Sequence, residues 1–224
     1  MTFSFRCSRF HPIFSTRFPF SRPMYVPRPF QFTDKPELIA FMKRYSFATI
    51  VTVREGVPIA TQLPFVIDDS TEALRLCAHF SRVNEQARYM ETETSLVIFT
   101  EPHAYISPSH YDNRESVPTW DYVAVHAYGN GKILPDQEAK TRSLLQTIQF
   151  YEPAYLEQWN TLSETYKQSM LQGIVAFELE VTDLQGQKKL SQNKTAAEKQ
   201  RIIQHLEASE VSGERDVAAY IRTL

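Results

Sequence analysis

Alternation of apolar and polar positions, more than any long helical period, organises this chain. Residues 47–53 are compact and β-branched, Glu55-Gly56 supplies a turn, and residues 57–67 continue as a second strand. Pro58 and Pro64 within it point to edge positions or bulges. After the turn Asp68-Asp69-Ser70, residues 73–80 form a third strand. Residues 95–100 and 104–107 read as strands flanking Glu101-Pro102. Residues 122–134 alternate again, with Val123, Val125 and Ala127 on one face and Tyr122, Ala124 and His126 on the other. Residues 174–182 make the last long strand, followed by a short polar segment at 188–193.

Helical periods lie mostly outside this run. Asp34-Lys35-Pro36-Glu37 ahead of Leu38, Ile39, Phe41 and Met42 is a helix start of capping-box type. A short helix is expected at 84–90, and Pro135 opens one that reaches about residue 151, with Leu144, Leu145 and Ile148 at helical spacing. Amphipathic stretches follow at 155–171, 195–206 and 214–224. The pattern predicts a mainly β, α+β fold with one antiparallel sheet closed into a small barrel and peripheral helices. The regular strand–helix alternation of a parallel α/β sheet is absent.

Composition narrows the picture. The first 23 residues hold six Phe and four Arg with no Asp or Glu, unlike the rest. They read as an upstream extension, with Met24 opening a single domain over 24–224. Removing four Arg from the 24 basic residues leaves 20 against 26 acidic ones, about −6. That sign does not suit binding driven by phosphate neutralisation along DNA, so contact with DNA is open but unsupported by charge. No apolar run approaches the ~20 residues of a membrane helix. Two cysteines, Cys7 and Cys77, do not make a disulfide framework, which fits a reducing, cytoplasmic setting.

Three segments carry candidate chemistry. At His79-Phe80-Ser81-Arg82-Val83-Asn84 a strand gives way to a helix, where free backbone N–H groups, a hydroxyl and an Arg fork would suit a phosphate monoester. The same residues also fit a plain N-cap with a solvated charge. The segment 101–111 packs Ser107, Ser109, His103, His110, Tyr105 and Tyr111 together, as a cleft for a flat ring would. The His103–His110 spacing matches no zinc motif, so no metal is expected. Trp120 and Tyr122 share a strand face, suited to stacking, to core packing or to a subunit interface. GxGxxG and GxxxxGK[ST] are absent, and Gly129-Asn130-Gly131 reads as a turn.

Together, MYVP at 24–27, HFSRVN at 79–84, PHAYISPSHY at 102–111, VPTWDYVAVHAYG at 117–129 and KLSQNK at 189–194 resemble the PaiB-type FMN-binding negative transcriptional regulators of the split-barrel flavin superfamily. The resemblance implies a six-stranded antiparallel split β-barrel, a homodimer, and FMN held between subunits. It implies a phosphate end at His79, Ser81 and Arg82 with Asn84 supporting the turn. Ser107, Ser109, Thr119 and Trp120 would lie near the ring or ribityl chain, with Lys189, Gln192 and Asn193 closing the site. Catalytic residues are not indicated. Glu101 stands where the family has Gly, and Asp121 where it commonly has Asn. Both carboxylates would disfavour an FMN dianion unless they face away or meet a basic group. The superfamily also contains FMN-dependent oxidoreductases, a second reading. A haem-binding module with His79, His103, His110 or His126 as axial ligand is a third.

Overall fold

The structure, a computed structural model, describes residues 24–224. The expected extension over residues 1–23, with Cys7, lies outside the described residues. Among the described residues eight strands form one sheet: β1 (Gln31–Phe32), β2 (Phe47–Arg54), β3 (Val57–Pro64), β4 (Val66–Asp68), β5 (Arg75–Ser81), β6 (Thr94–Ile106), β7 (Thr119–Ile133) and β8 (Ile174–Lys189). Their order is β3-β2-β6-β7-β8-β5-β4, with β1 paired to β8, and every pairing is antiparallel. The expected count of six is therefore corrected to eight, because the two- and three-residue strands β1 and β4 join the sheet.

Those corrections have local causes. The single strand expected over 57–67 breaks at Phe65 into β3 and β4, which lie at opposite edges of the sheet order. Phe65 is fully buried, and its N–H donates to the Ser46 carbonyl at 2.9 Å. Because two sheet edges are joined by one residue, the sheet must roll towards closure. The strands expected on either side of Glu101-Pro102 are instead one strand, β6, with a register shift between Thr100 and His103. A bulge there accommodates a proline that has no N–H for the ladder. The segments at 174–182 and 188–193 likewise merge, as far as Lys189, into the 16-residue β8. Gly129 and Gly131 do not make a turn but lie inside β7. A Cβ on Gly129 would stand 2.1 Å from the Glu180 carbonyl oxygen, and one on Gly131 2.8 Å from that of Met90. These glycines allow close backbone approach.

Among the described residues six helices surround the sheet: α1 (Lys35–Arg44), α2 (Gln137–Tyr151), α3 (Tyr155–Thr161), α4 (Glu164–Gln172), α5 (Ala196–Glu207) and α6 (Ser212–Arg222). Asp34 caps α1 by accepting from the Glu37 N–H at 2.9 Å, but Glu37 turns to Lys188 instead of completing a capping box. The full box forms at Thr195 and Glu198 of α5. The stretch at 155–171 divides into α3 and α4 because Ser163 starts a new helix by accepting from the Tyr166 N–H. Inside the barrel Phe65, Phe80, Phe99 and Phe177 are fully buried, with the Phe80 and Phe177 rings stacked 4.8 Å apart. On β7, Val123, Val125 and Ala127 point into this core, while Tyr122, His126 and Tyr128 are half-buried on the other face. Among the described residues no helix is long and apolar enough to cross a membrane.

Candidate functional site

The strand β5 delivers the first group of candidate residues. His79 and Ser81 share a face of it, and Arg82 follows at its exit. Burial lowers the pKa of His79, which favours the neutral ring. The short helix expected at 84–90 is a five-residue 3-10 turn, Glu85–Tyr89. Its first donors are already satisfied: Asn84 Oδ1 accepts from the Gln86 N–H at 2.9 Å, and the Asn84 carbonyl from the Ala87 N–H at 3.3 Å. The helix-terminus contribution to an anion pocket is thus largely withdrawn. What remains is side-chain chemistry. Ser81 is exposed, Arg82 makes one 3.3 Å bond to the Gln172 carbonyl, and among the described residues no carboxylate pairs with it. Arg82 lines a cavity of about 220 Å³ with Val83, Asn84, Glu85 and Arg88. Arg88 is a second cation that the motif does not mark.

Asn84 acts as a brace. Its amide donates to Thr61 Oγ1 at 3.0 Å, and that hydroxyl donates to Gln86 Oε1 at 2.7 Å. Gln86, fully buried, then donates to the Ile50 and Ile59 carbonyls and to Thr52 Oγ1. This network fixes the turn against β2 and β3. Gln86 and Thr61 lie outside every recognisable motif, since a glutamine in a polar turn carries no sign that it will be buried.

The second group assembles where β6 ends and β7 begins. Ile106 pairs with Thr119, and Tyr105 with Trp120. Ser107 Oγ accepts from the Ser109 N–H at 3.2 Å and is bonded by Ser109 Oγ at 2.9 Å, so these two serines hold each other. Trp120 is 52% exposed and Tyr105 47%, their rings meeting edge to face at 5.8 Å with His103 5.9 Å from Trp120. Lys189, at the end of β8, donates to Thr119 Oγ1 and, at 2.6 Å, to the Trp120 carbonyl. Gln192 is committed to its own turn, accepting from the Leu190 N–H at 2.8 Å and donating to the Lys188 carbonyl at 2.5 Å. Asn193 is exposed beside it. An exposed aromatic plate beside an ammonium held by neutral oxygens can take a flat ring with polar edges.

The two carboxylates that raised an electrostatic objection are both accounted for. Glu101 Oε2 lies 3.9 Å from the Cβ position of Gly213, in the first turn of α6, where the helix dipole favours a negative charge. Asp121 is fully buried and accepts from Ser191 Oγ at 2.6 Å. Burial pushes its pKa up to about 6, against the opposing pull of the Ser191 hydrogen bond and of Lys189 and Lys194.

The two groups do not meet. Ser81 pairs with Ile174 at the start of β8, and Tyr122 with Lys189 at its end. Fifteen residues of strand separate them, about 50 Å of contour at ~3.3 Å per residue. Among the described residues no hydrogen bond or ring contact joins one group to the other. As for the other histidines, His110 has the His205 ring 4.9 Å away, and among the described residues His126 Nδ1 is buried without a hydrogen-bond partner. Among the described residues no group of three or more His, Cys, Asp or Glu could hold a metal ion. Cys77 is buried, with its thiol pKa pushed up to about 12, which makes it a packing residue.

Comparison with known proteins decides the family. Residues 24–183 match the family model described as "Putative FMN-binding domain". The chain belongs to this FMN-binding family. Protease synthase and sporulation protein PAI 2 of Bacillus subtilis is 38% identical over 201 residues, covering 87% of this chain and 95% of that protein. The chain is thus a flavin-binding protein of the PaiB type, and FMN is its cofactor. Among solved structures, the flavocytochrome Anf3 from Azotobacter vinelandii matches with TM-score 0.59 at 15% identity, covering 73% of this chain and 72% of that one. The FAD and heme binding protein from Mycobacterium smegmatis matches with TM-score 0.56 at 16% identity, covering 71% and 73%. At such identities these two likenesses speak to the fold alone. The donor set is compatible with FMN: Ser81, Arg82 and Arg88 are donors of the kind a phosphate takes, and Trp120, Tyr105 and Lys189 make a plate of the kind a flat ring takes.

Proposed function

We propose that this PaiB-type protein is a cytoplasmic, FMN-responsive regulator that works as a homodimer with flavin held between subunits. The observation that carries this reading is the separation of the two candidate groups along β8. A second copy related by a two-fold axis, with its β8 running the opposite way, brings the Trp120–Lys189 end of one chain to the Ser81–Arg82 end of the other. The outward face of the central strands suits such a contact. It presents Thr49 and Val51 of β2, Leu96 and Ile98 of β6, and Tyr122, His126 and Tyr128 of β7, all half-buried and none of them an acid, lysine or arginine. Self-complementary faces of this kind are what an isologous interface needs.

In this arrangement Ser81, Arg82 and Arg88 bind and orient the phosphate, while Trp120, Thr119 and Lys189 orient the ring and exclude water from one side of it. FMN supplies redox chemistry when bound, and either its presence or its redox state sets the regulatory output. The name of the Bacillus relative, protease synthase and sporulation protein PAI 2, supports a regulatory output over a metabolic one.

Fluorescence titration with FMN tests the phosphate assignment. Arg82→Ala is expected to weaken binding by about 1.5–3 kcal/mol, one charge-assisted hydrogen bond, or roughly ten- to a hundredfold. Unchanged affinity would move the phosphate elsewhere. Sedimentation of the purified protein reads the dimer directly, and a monomer at every concentration tested rejects the shared site. Direct DNA contact is abandoned if no promoter fragment is shifted at low salt, with or without FMN.

A further inference from the structure

Asp121 is a charge that phosphate and ring contacts do not use. It is fully buried directly after the exposed Trp120. Its Oδ2 accepts from Ser191 Oγ at 2.6 Å, while Oδ1 is buried with no hydrogen-bond partner among the described residues. The hydrogen bond helps hold Ser191 at φ 56°, in the left-handed region, and so fixes the turn that follows Lys189. The charged and titratable groups facing Asp121 are Lys189 from β8, Lys194 from the turn before α5, and Tyr111 from the segment after His110. Tyr111 has a buried, unpartnered hydroxyl of its own, and the Lys194 ammonium is 3.4 Å from its ring centroid.

Lys189 differs from its neighbour. Lys188 is paired with Glu37, whereas the partners of the Lys189 ammonium are the neutral Thr119 Oγ1 and Trp120 carbonyl. Asp121 is a negative charge that interacts with Lys189: it directly follows Trp120, whose carbonyl the ammonium holds, and it is fully buried, out of reach of anything bound on the exposed aromatic plate. In a desolvated setting such through-space coupling is stronger than in water.

We propose that the Asp121–Lys189 couple sets the charge of ring that this end of the site accepts. With both groups ionised the end is close to neutral and takes an uncharged flat heteroaromatic ring. With the carboxylate removed, Lys189 holds a ring anion in preference. The inference rests on the FMN reading of the site, and the experiment separates the two.

The probe is 6-hydroxy-FMN, whose ring ionises near neutral pH with a change of colour. Bound to the wild-type protein and titrated across neutral pH, it reports the relative affinity for anionic and neutral ring. Asp121→Asn is expected to lower the ring's midpoint by about one pH unit, tenfold in favour of the anion. Lys189→Gln is expected to raise it by a similar amount, and the double variant to return close to wild type. The Lys189→Gln arm stands alone if the Asp121 variant does not fold, because Lys189 is only half-buried. If both single variants bind the probe with unshifted midpoints, the charge couple is wrong and the flavin site survives. If neither FMN nor the probe binds the wild type, both fall together.

Discussion

Truncation of Phe177 to alanine should cost about 3–5 kcal/mol of folding stability, the usual range for deleting a buried aromatic ring. Phe177 is fully buried, stacks on Phe80 at 4.8 Å and meets the Phe65 ring at 6.3 Å. It also sits on β8 opposite both Ala78 of β5 and Ile133 of β7, so one side chain ties the middle strand to both neighbours. Domains are typically stable by only 5–15 kcal/mol, so this loss would consume a large share of the total. Urea denaturation of wild type and Phe177→Ala measures it. A difference under ~1 kcal/mol would mean that the four-phenylalanine cluster is not the centre of the core.

The second large effect concerns acid. Asp121 has a folded-state pKa of about 6 against an ordinary value of 3.8, so the folded protein holds that proton more tightly than the unfolded chain. The stabilisation from a protonated Asp121 is complete below about pH 4 and is lost as pH rises through about 6. Above that range the fold carries the full cost of a buried carboxylate. Asn cannot ionise, so the stability of Asp121→Asn relative to wild type should rise with pH. The rise between pH 4 and pH 7.5 should be roughly 3 kcal/mol, because a gap of one between folded and unfolded pKa is worth ~1.4 kcal/mol. Chemical denaturation of both proteins at the two pH values gives the difference, in which every other titrating group cancels. Parallel pH profiles would place Asp121 in contact with solvent or with a closer cation.

Much of the fold is legible in the sequence where one local signal governs. The alternation of Val123, Val125 and Ala127 names the inward face of β7, and Asp34 marks the start of α1, because side-chain direction and capping are local. The misjudged features depend on distant partners. Phe65 looks like the middle of a strand until Ser46 and Tyr151 claim its backbone N–H and carbonyl. Gly129 and Gly131 look like a turn because the residues crowding them, Glu180 and Met90, are far away in sequence. The site divides in the same way. Ser81-Arg82 and Trp120 are visible as motifs, whereas Arg88, Gln86 and the Asp121–Ser191 bond are products of packing. The separation of the two halves of the site could not be read at all without the strand register, since β8 appears in the sequence as two pieces.

The position of β8 bears on how the protein is made. It lies between β7 and β5 and also receives β1, yet it is the last strand to be synthesised. Gln31 must wait for Gln187, and His79 for Ala176, before either finds its ladder partner. While the chain is still on the ribosome, β5 lacks its long partner and β7 has one side open. The barrel therefore closes only after residue 189 has emerged. Contacts of such long sequence separation fold slowly, and the open strand edges of the unfinished chain are the surfaces that a nascent-chain chaperone would have to cover.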